Sequence, residues 1–217
     1  MERINKKAII IGAGTYGEVY ATYLKEEGFD IIGFVDDNPT THNKEINGIL
    51  VLGDSDTLNN EEIKSKITNI FCSIGNNRIR VKMLEKAIEL GYSTPNFIHS
   101  SVQLTNDIQI GKGVYILPNS IIMPHTVLED FVMISMGSKI AHHCILKKGS
   151  FISTGVNFGA NIVLKEMSFV GIGATLMTGI TTIGKNVTIG AGAVVIKNVP
   201  DNAVIVGNPG KIIKYNK

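Results

Sequence analysis

The sequence predicts two folds in series, an α/β half-domain followed by a parallel β-helix, and three observations carry that reading. From Leu104 through Ile110, Ile116, Ile122 and Leu128 to Leu176, every sixth residue is a branched aliphatic or Phe; the beat resumes at Ile183, Ile189 and Val195. The position four further on is small or β-branched throughout, as in Val114, Ser120, Thr126, Val132, Ser138 and Cys144. Upstream of the repeats, the apolar run Ala8–Ile11 runs into Gly12-Ala13-Gly14-Thr15-Tyr16-Gly17, a match to G-x-G-x-x-G. Neither a helix of period about 3.6 nor an alternating strand keeps a six-residue register over such a length. A hexapeptide repeat does, with one short strand and one corner per repeat and three repeats per triangular coil. Small and β-branched residues at the second inward position suit a narrow interior, which bulk would overpack.

The first elements alternate in type. Ala8–Ile11 reads as a buried strand, and the stretch carrying Val19, Ala21, Tyr23 and Leu24 as an amphipathic helix that stops near Gly28. Ile31–Val35 is the next strand and ends at Asp36-Asp37. Residues 38–57 read as loop with a short strand at Ile49–Leu52. Ile70–Ile74 is a third buried strand ending in Gly75-Asn76-Asn77, and Arg78 to Leu90 reads as helix with Gly91 closing it. Asn96–Ile98 reads as a last strand. The division is therefore 1–100 for the α/β domain and 101–217 for the β-helix with its C-terminal cap. Residues Val199 to Lys211 break the six-residue beat and should cover the open end, because an uncapped coil exposes strand edges. The extra residue between Leu176 and Ile183 is either a tolerated loop or a bulge shaped by function.

Bulk composition excludes several classes. The 217 residues carry a net charge of +2 with dispersed basic residues, so no nucleic-acid footprint is present. No apolar run reaches membrane-spanning length, and Met-Glu-Arg leads into a strand without a signal-peptide pattern. Cys72 and Cys144 lie in different domains with no metal-type spacing, which fits a reducing cytoplasm. No metal-ligand pattern is found. About 100 residues hold one half of a doubly wound fold, so a single nucleotide fits the first domain better than a dinucleotide. Its glycine loop opens a helix whose N–H groups favour an anionic ligand, and Asp36 can accept from a ribose or base. Glycine that serves only the turn is the plainer reading of the same motif.

In the repeats, His125, His142 and His143 are the candidates for proton transfer. His142 lies two residues past the inward Ile140 and should point outward, in a run whose one charged residue is Lys139. It is either a solvated surface side chain or a general base. Gly137, Gly155 and Gly173 mark one corner of successive coils, a column that serves either left-handed backbone angles or the close approach of a ligand or neighbouring chain.

Taken in order, Gly12–Gly17, Phe34-Val35-Asp36-Asp37-Asn38, Ser73–Arg78, the hexapeptides and Val206-Gly207-Asn208-Pro209-Gly210-Lys211 resemble the NeuD/PglD-type sugar acetyltransferases. The resemblance covers essentially the whole chain. It implies a Rossmann-like half-domain followed by a left-handed β-helix, a homotrimer, acetyl-CoA as co-substrate and an active site between subunits. It makes His142 the general base and places nucleotide-sugar contacts at Gly14, Thr15, Tyr16, Asp36, Asp37 and Gly75. Acetyl-CoA contacts fall at Phe151, Ile172 and Gly190. Three positions depart from the pattern. His143 stands where the residue after the base is usually Asp or Glu, so another carboxylate, including one of an adjacent subunit, has to supply the acidic partner or the enzyme is slower or shifted in pH optimum. Phe151 replaces a second histidine of some members, and Tyr16 a histidine of the glycine loop. The activity implied is N-acetylation of a nucleotide-linked 4-amino-4,6-dideoxysugar. O-acetylation of sialic acid or another polysaccharide sugar is the alternative, and a non-catalytic sugar-nucleotide-binding β-helix a third.

Overall fold

A strand that is apolar on both faces is stable only where both faces are covered. Lys7–Ile11 (β1) meets that condition: Ala8, Ile9 and Ile10 have no exposed surface. In the computed structural model, which describes residues 6–217, β1 is the middle of a three-stranded parallel sheet. Its neighbours are Asp30–Val35 (β2) on one side and, on the other, the strand Asn69–Cys72. Helix α1 (Thr15–Glu26) follows β1 and buries Gly17, Tyr20, Ala21 and Leu24. Tyr20, rather than Val19 or Tyr23, fills the centre of that face. A hairpin of β3 (Glu45–Ile46) and β4 (Ile49–Leu50) and a short helix α2 (Glu61–Lys66) interrupt the alternation before the third sheet strand, β5 (Asn69–Cys72). Helix α3 (Asn77–Glu89) starts on Asn76, whose side chain accepts from the N–H of Ile79.

The chain divides after Pro95, and the second unit is the solenoid. Phe97–Ile98 belongs to it: this strand pairs in parallel with Tyr115–Ile116, so it opens the solenoid where the sequence reading closed the α/β domain with it. After an isolated bridge from Gln103 to Ile121, each hexapeptide from Gln109 to Val195 supplies a two-residue strand to one of three parallel sheets. The first sheet holds Gln109–Ile110, Val127–Leu128, Ile145–Leu146, Val163–Leu164 and Thr182–Ile183. The second runs from Phe97–Ile98 through Met133–Ile134 and Phe151–Ile152 to Ala203–Val206. The third holds Ile121–Ile122, Lys139–Ile140, Asn157–Phe158, Thr175–Leu176 and Val194–Val195. The inward series forms one continuous core, from Ile116 and Ile122 through Phe158 to Val195.

Buried hydroxyls in that core are matched to carbonyls. Ser120, Ser138 and Ser168 donate to the carbonyls of Ser135, Ser153 and Gly184 at 3.1, 2.8 and 2.7 Å. A buried donor left without an acceptor would cost about 1–3 kcal/mol, which is why serine fits at these positions. The extra residue after Leu176 is absorbed outside the ladder, in a small bulge where Thr178 bridges Ile180, and Leu164 still pairs with Ile183. The C-terminal segment does not break the ladder at once. Ala203–Val206 adds another parallel strand to the second sheet, and Lys211–Tyr215 then pairs with it antiparallel. No helix among the described residues is long and apolar enough to cross a membrane. The initial Met-Glu-Arg, read as free of a signal pattern, lies outside the described residues.

Candidate active site

In the α/β unit, the three parallel strands end on one edge, and the loops leaving β1, β2 and β5 together with the first turn of α1 carry all six residues expected to hold a nucleotide sugar. Gly14, Thr15 and Tyr16 open α1, Asp36 and Asp37 follow β2, and Gly75 follows β5. The edge is tied together by its own polar groups. One Asp36 oxygen accepts from the N–H of Ala13 and the other from the N–H of Asn38, both at 2.8 Å. Asp37 accepts from the N–H of Ser55 at 2.9 Å, and the Ser73 hydroxyl donates to the Gly12 carbonyl at 3.0 Å. Asp36 thus fixes the glycine loop first, and each of its oxygens keeps a second lone pair for a ligand.

Two residues of this edge were invisible as sequence signals. His42 places Nε2 at 2.7 Å from the Asp36 carbonyl oxygen, where nothing in its loop spacing marks it. Arg80 has no exposed surface, and its Nη1 donates to the Ile74 carbonyl at 3.3 Å and to Asn77 Oδ1 at 3.1 Å. A charged side chain at helical spacing reads as solvated, yet this one is drawn under the loop by carbonyls.

In the solenoid, His142 sits at the corner where the third sheet passes to the first. The backbone of this corner is held from above and below: His143 N–H donates to the Pro124 carbonyl, and Asn161 N–H to that of His142, each at 3.1 Å. His143 is left-handed, with φ of 57°. That turn brings the two rings together, Nδ1 of His142 lying 2.9 Å from Nδ1 of His143, with the ring planes at 89°. Directly above, His125 packs on His143 with ring centroids 4.6 Å apart. His125 in turn places Nδ1 at 2.9 Å from Asp107 Oδ2. The Thr105 hydroxyl, then the His125 backbone N–H, hold the Asp107 carboxyl below the usual carboxylate range. Asp107, His125 and His143 occupy the same corner of successive coils, 18 residues apart from one to the next. The six-residue beat hides that column, whereas a comparison at three times the beat reveals it. Beside the corner runs an apolar groove of about 360 Å³ lined by Met123, Ala141, Phe158 and Leu176.

The residues expected to touch acetyl-CoA are elsewhere on the prism. Phe151 is in the second sheet, its ring edge-on to Phe169 at 5.3 Å. Ile172 stands 59% exposed at the corner leaving that sheet. Gly190 lies at the same level one coil on, its N–H donating to Ile205 at 2.7 Å. A Cβ there would come within 2.9 Å of Val206. The structure does not bring these three together with His142 in a single chain. The glycines at 137, 155 and 173 also mark this other corner and not the histidine corner. Their φ values of 70°, 67° and 66°, with open space around each, make the left-handed turn itself the reason for glycine. Among the described residues no cluster of three or more His, Cys, Asp or Glu is arranged to hold a metal.

Residues 7–87 match the PglD N-terminal domain family. The chain is similar over 96% of its length to the whole acetyltransferase domain of PglB from Neisseria gonorrhoeae, with 31% identity and a TM-score of 0.88. The same domain solved in complex with acetyl coenzyme A superposes with 29% identity over 97% of this chain and a TM-score of 0.84. PerB from Caulobacter crescentus, solved in complex with CoA and GDP-perosamine, matches 96% of this chain and 97% of its own, with 29% identity and a TM-score of 0.83. A serine acetyltransferase of Bacillus pumilus is 50% identical over 38 residues, a span of 18% of this chain and 18% of that enzyme.

Proposed function

Since the chain belongs to the NeuD/PglD-type sugar acetyltransferases, we propose that it moves the acetyl group of acetyl-CoA onto the 4-amino group of a nucleotide-linked 4-amino-4,6-dideoxysugar. The observation that carries this reading is the clamped imidazole of His142. Its Nδ1 is engaged by His143, the backbone on both sides is pinned in the ladder, and its other ring nitrogen is left for an acceptor.

In this reading the amine nitrogen attacks the thioester carbonyl carbon. A C–N bond forms, the C–S bond breaks through a tetrahedral intermediate, and the sulfur leaves as the CoA thiolate. His142 takes the proton from the attacking nitrogen and hands it on to the leaving sulfur, so no acyl-enzyme is required. Positioning and proton removal supply the rate. The α/β unit favours a nucleotide-linked acceptor, because a free sugar has no use for a glycine loop at a helix start. Gly14, Thr15, Tyr16, Asp36, Asp37 and Gly75 would hold the nucleotide sugar there, and PerB, solved with a GDP-linked amino sugar, supports that class.

Acetyl-CoA would lie along Phe151, Ile172 and Gly190. These stand on a different corner from His142, so a complete site requires a second copy of the chain to bring its cofactor surface to the first copy's histidine. A homotrimer with sites between subunits satisfies that requirement. Exposed Met123, Met136, Ile172 and Met177 along the solenoid give the copies apolar surface to bury.

The test is thiol release from acetyl-CoA against UDP-, dTDP- and GDP-linked 4-amino-4,6-dideoxysugars and free sialic acid. Burial pushes the Cys72 thiol up to about 11 and raises that of Cys144 as well, so neither competes as a thiolate in the assay. Turnover is expected with one nucleotide amino sugar, and His142→Ala should lower it by about 100-fold or more with unchanged thermal stability. Normal turnover in that variant would remove His142 from the mechanism. Turnover confined to sialic acid would move the reading to O-acetylation.

A further inference from the structure

We propose that Asp107 and His125 are positioning residues for His142, acting through His143 to keep the base in the tautomer that can accept a proton. The inference rests on the reading of His142 as general base, and it identifies within the same chain the acidic group whose usual place His143 occupies.

The argument starts from the contact between two Nδ1 atoms at 2.9 Å. A hydrogen bond between them carries one proton, and which ring owns it decides the chemistry. When His142 donates, its Nδ1 holds the proton and its Nε2 keeps a lone pair for the amine. His143 is then neutral, with its own proton on Nε2. When His143 is protonated on both nitrogens, it becomes the donor. His142 then takes its proton on Nε2, and the base is lost although every atom is still in place. Activity therefore requires a neutral His143.

The column above the pair meets that requirement. Asp107 lies 2.9 Å from His125 Nδ1, so a proton residing on the column has its counter-ion at His125. His143 packs against that ring, tilted at 48° with centroids 4.6 Å apart. A second proton on the column, at His143, would set two like charges side by side on these tilted rings, with the single Asp107 carboxylate held against His125. Other ionisable groups near this corner do not serve His143. Lys139 stands on the preceding strand and points to solvent, the Cys144 thiol is turned inward against the Gly159 carbonyl, and Lys147 is held by Glu129 and Glu166 at 3.6 Å. His125 and His143 share the left-handed backbone, with φ of 63° and 57°, at one corner of successive coils.

Two measurements test this. The first is the pH profile of kcat/KM for Asp107→Asn, which keeps the shape and hydrogen bonding of the side chain and removes its charge. The acid limb should move to higher pH, with a loss of about 3- to 10-fold near pH 6 that closes by about pH 8.5, and an unchanged KM for the acceptor. His125→Asn should do the same. In a His143→Asn background the amide oxygen accepts from His142 without titrating, and asparagine tolerates the left-handed turn, so Asp107→Asn should then have no further effect. A loss that is equal at every pH, or a profile that overlays the wild type, overturns the proposal. The second measurement needs no acceptor: long-range proton–nitrogen correlation spectra of the imidazoles. The wild type should show His142 protonated on Nδ1 and His143 on Nε2 near neutral pH, and Asp107→Asn should lower the share of that pair of tautomers. The opposite tautomers in the wild type would overturn the proposal even if the enzyme acts on a different sugar. Full turnover by His142→Ala would instead sink the general-base reading on which it rests.

Discussion

Within the G-x-G-x-x-G run the three glycines have separate physical causes. Gly12 has φ of 102°, and a Cβ there would meet the Ser73 hydroxyl at 2.7 Å. At Gly17 a Cβ would lie 2.2 Å from the Gly12 carbonyl oxygen, so the helix can pack this close to the loop only without one. Gly14 has nothing within 4 Å of that position, and nothing inside the protein demands glycine there. The expected outcome follows: Gly17→Ala should destabilise the α/β unit by about 1–3 kcal/mol. Gly14→Ala should change stability by no more than about 0.5 kcal/mol yet raise the KM for the nucleotide sugar. Thermal unfolding and acceptor titration on the two variants read this directly, and an unchanged KM in Gly14→Ala would place the ligand elsewhere. The motif was legible in the sequence; the division of labour was not, because spacing cannot distinguish a glycine required by packing from one that leaves room. Asp36 teaches the same lesson. Its place after a strand was legible, whereas its bonds to Ala13 and Asn38 depend on how two loops meet.

At the level of elements, the six-residue beat located nearly every strand of the solenoid, since an inward aliphatic every sixth residue is dictated by the width of the prism. Elements without a period were harder. Helix α2 is six residues long, too short to show amphipathic spacing, and starts on the Asn60 cap alone. Phe97–Ile98 carries the same apolar character in either unit, and only its pairing with Tyr115–Ile116 assigns it. The column from Asp107 to His143 escaped notice because the short beat says which residues point inward and nothing about which outward residues stack. Inside the prism, hydroxyls provide an internal control. Ser138 donates to Ser153 at 2.8 Å, while the buried Ser150 hydroxyl has no hydrogen-bond partner. Ser138→Ala should cost about 1–3 kcal/mol, and Ser150→Ala should be neutral or stabilising. Equal losses in chemical denaturation would mean that burial of the hydroxyl, rather than its bond, sets the cost.

For the whole molecule, His142 stands on a different corner of the prism from Phe151, Ile172 and Gly190, so under the proposed function assembly would be a condition of activity. The expected mass in sedimentation equilibrium is three times the 23.5 kDa of the chain, and dilution below the dissociation constant of the assembly should lower specific activity. A fully active monomer would exclude the shared site. Little of this was legible in the sequence beyond the resemblance, because an interface is set by which corners face outward together. The bulge between Thr178 and Ile180 shows a further property of the design. Position along this chain is also an angle: each hexapeptide turns the backbone by a third of a revolution. Surplus length at a corner is spilled outward and the phase recovers. Excising one full revolution would shorten the column by about 4.8 Å and return each downstream side chain to its own face. Excising a single hexapeptide upstream of His142 would instead rotate it to the corner leaving the second sheet, with every local sequence contact intact and the catalytic compass pointing the wrong way.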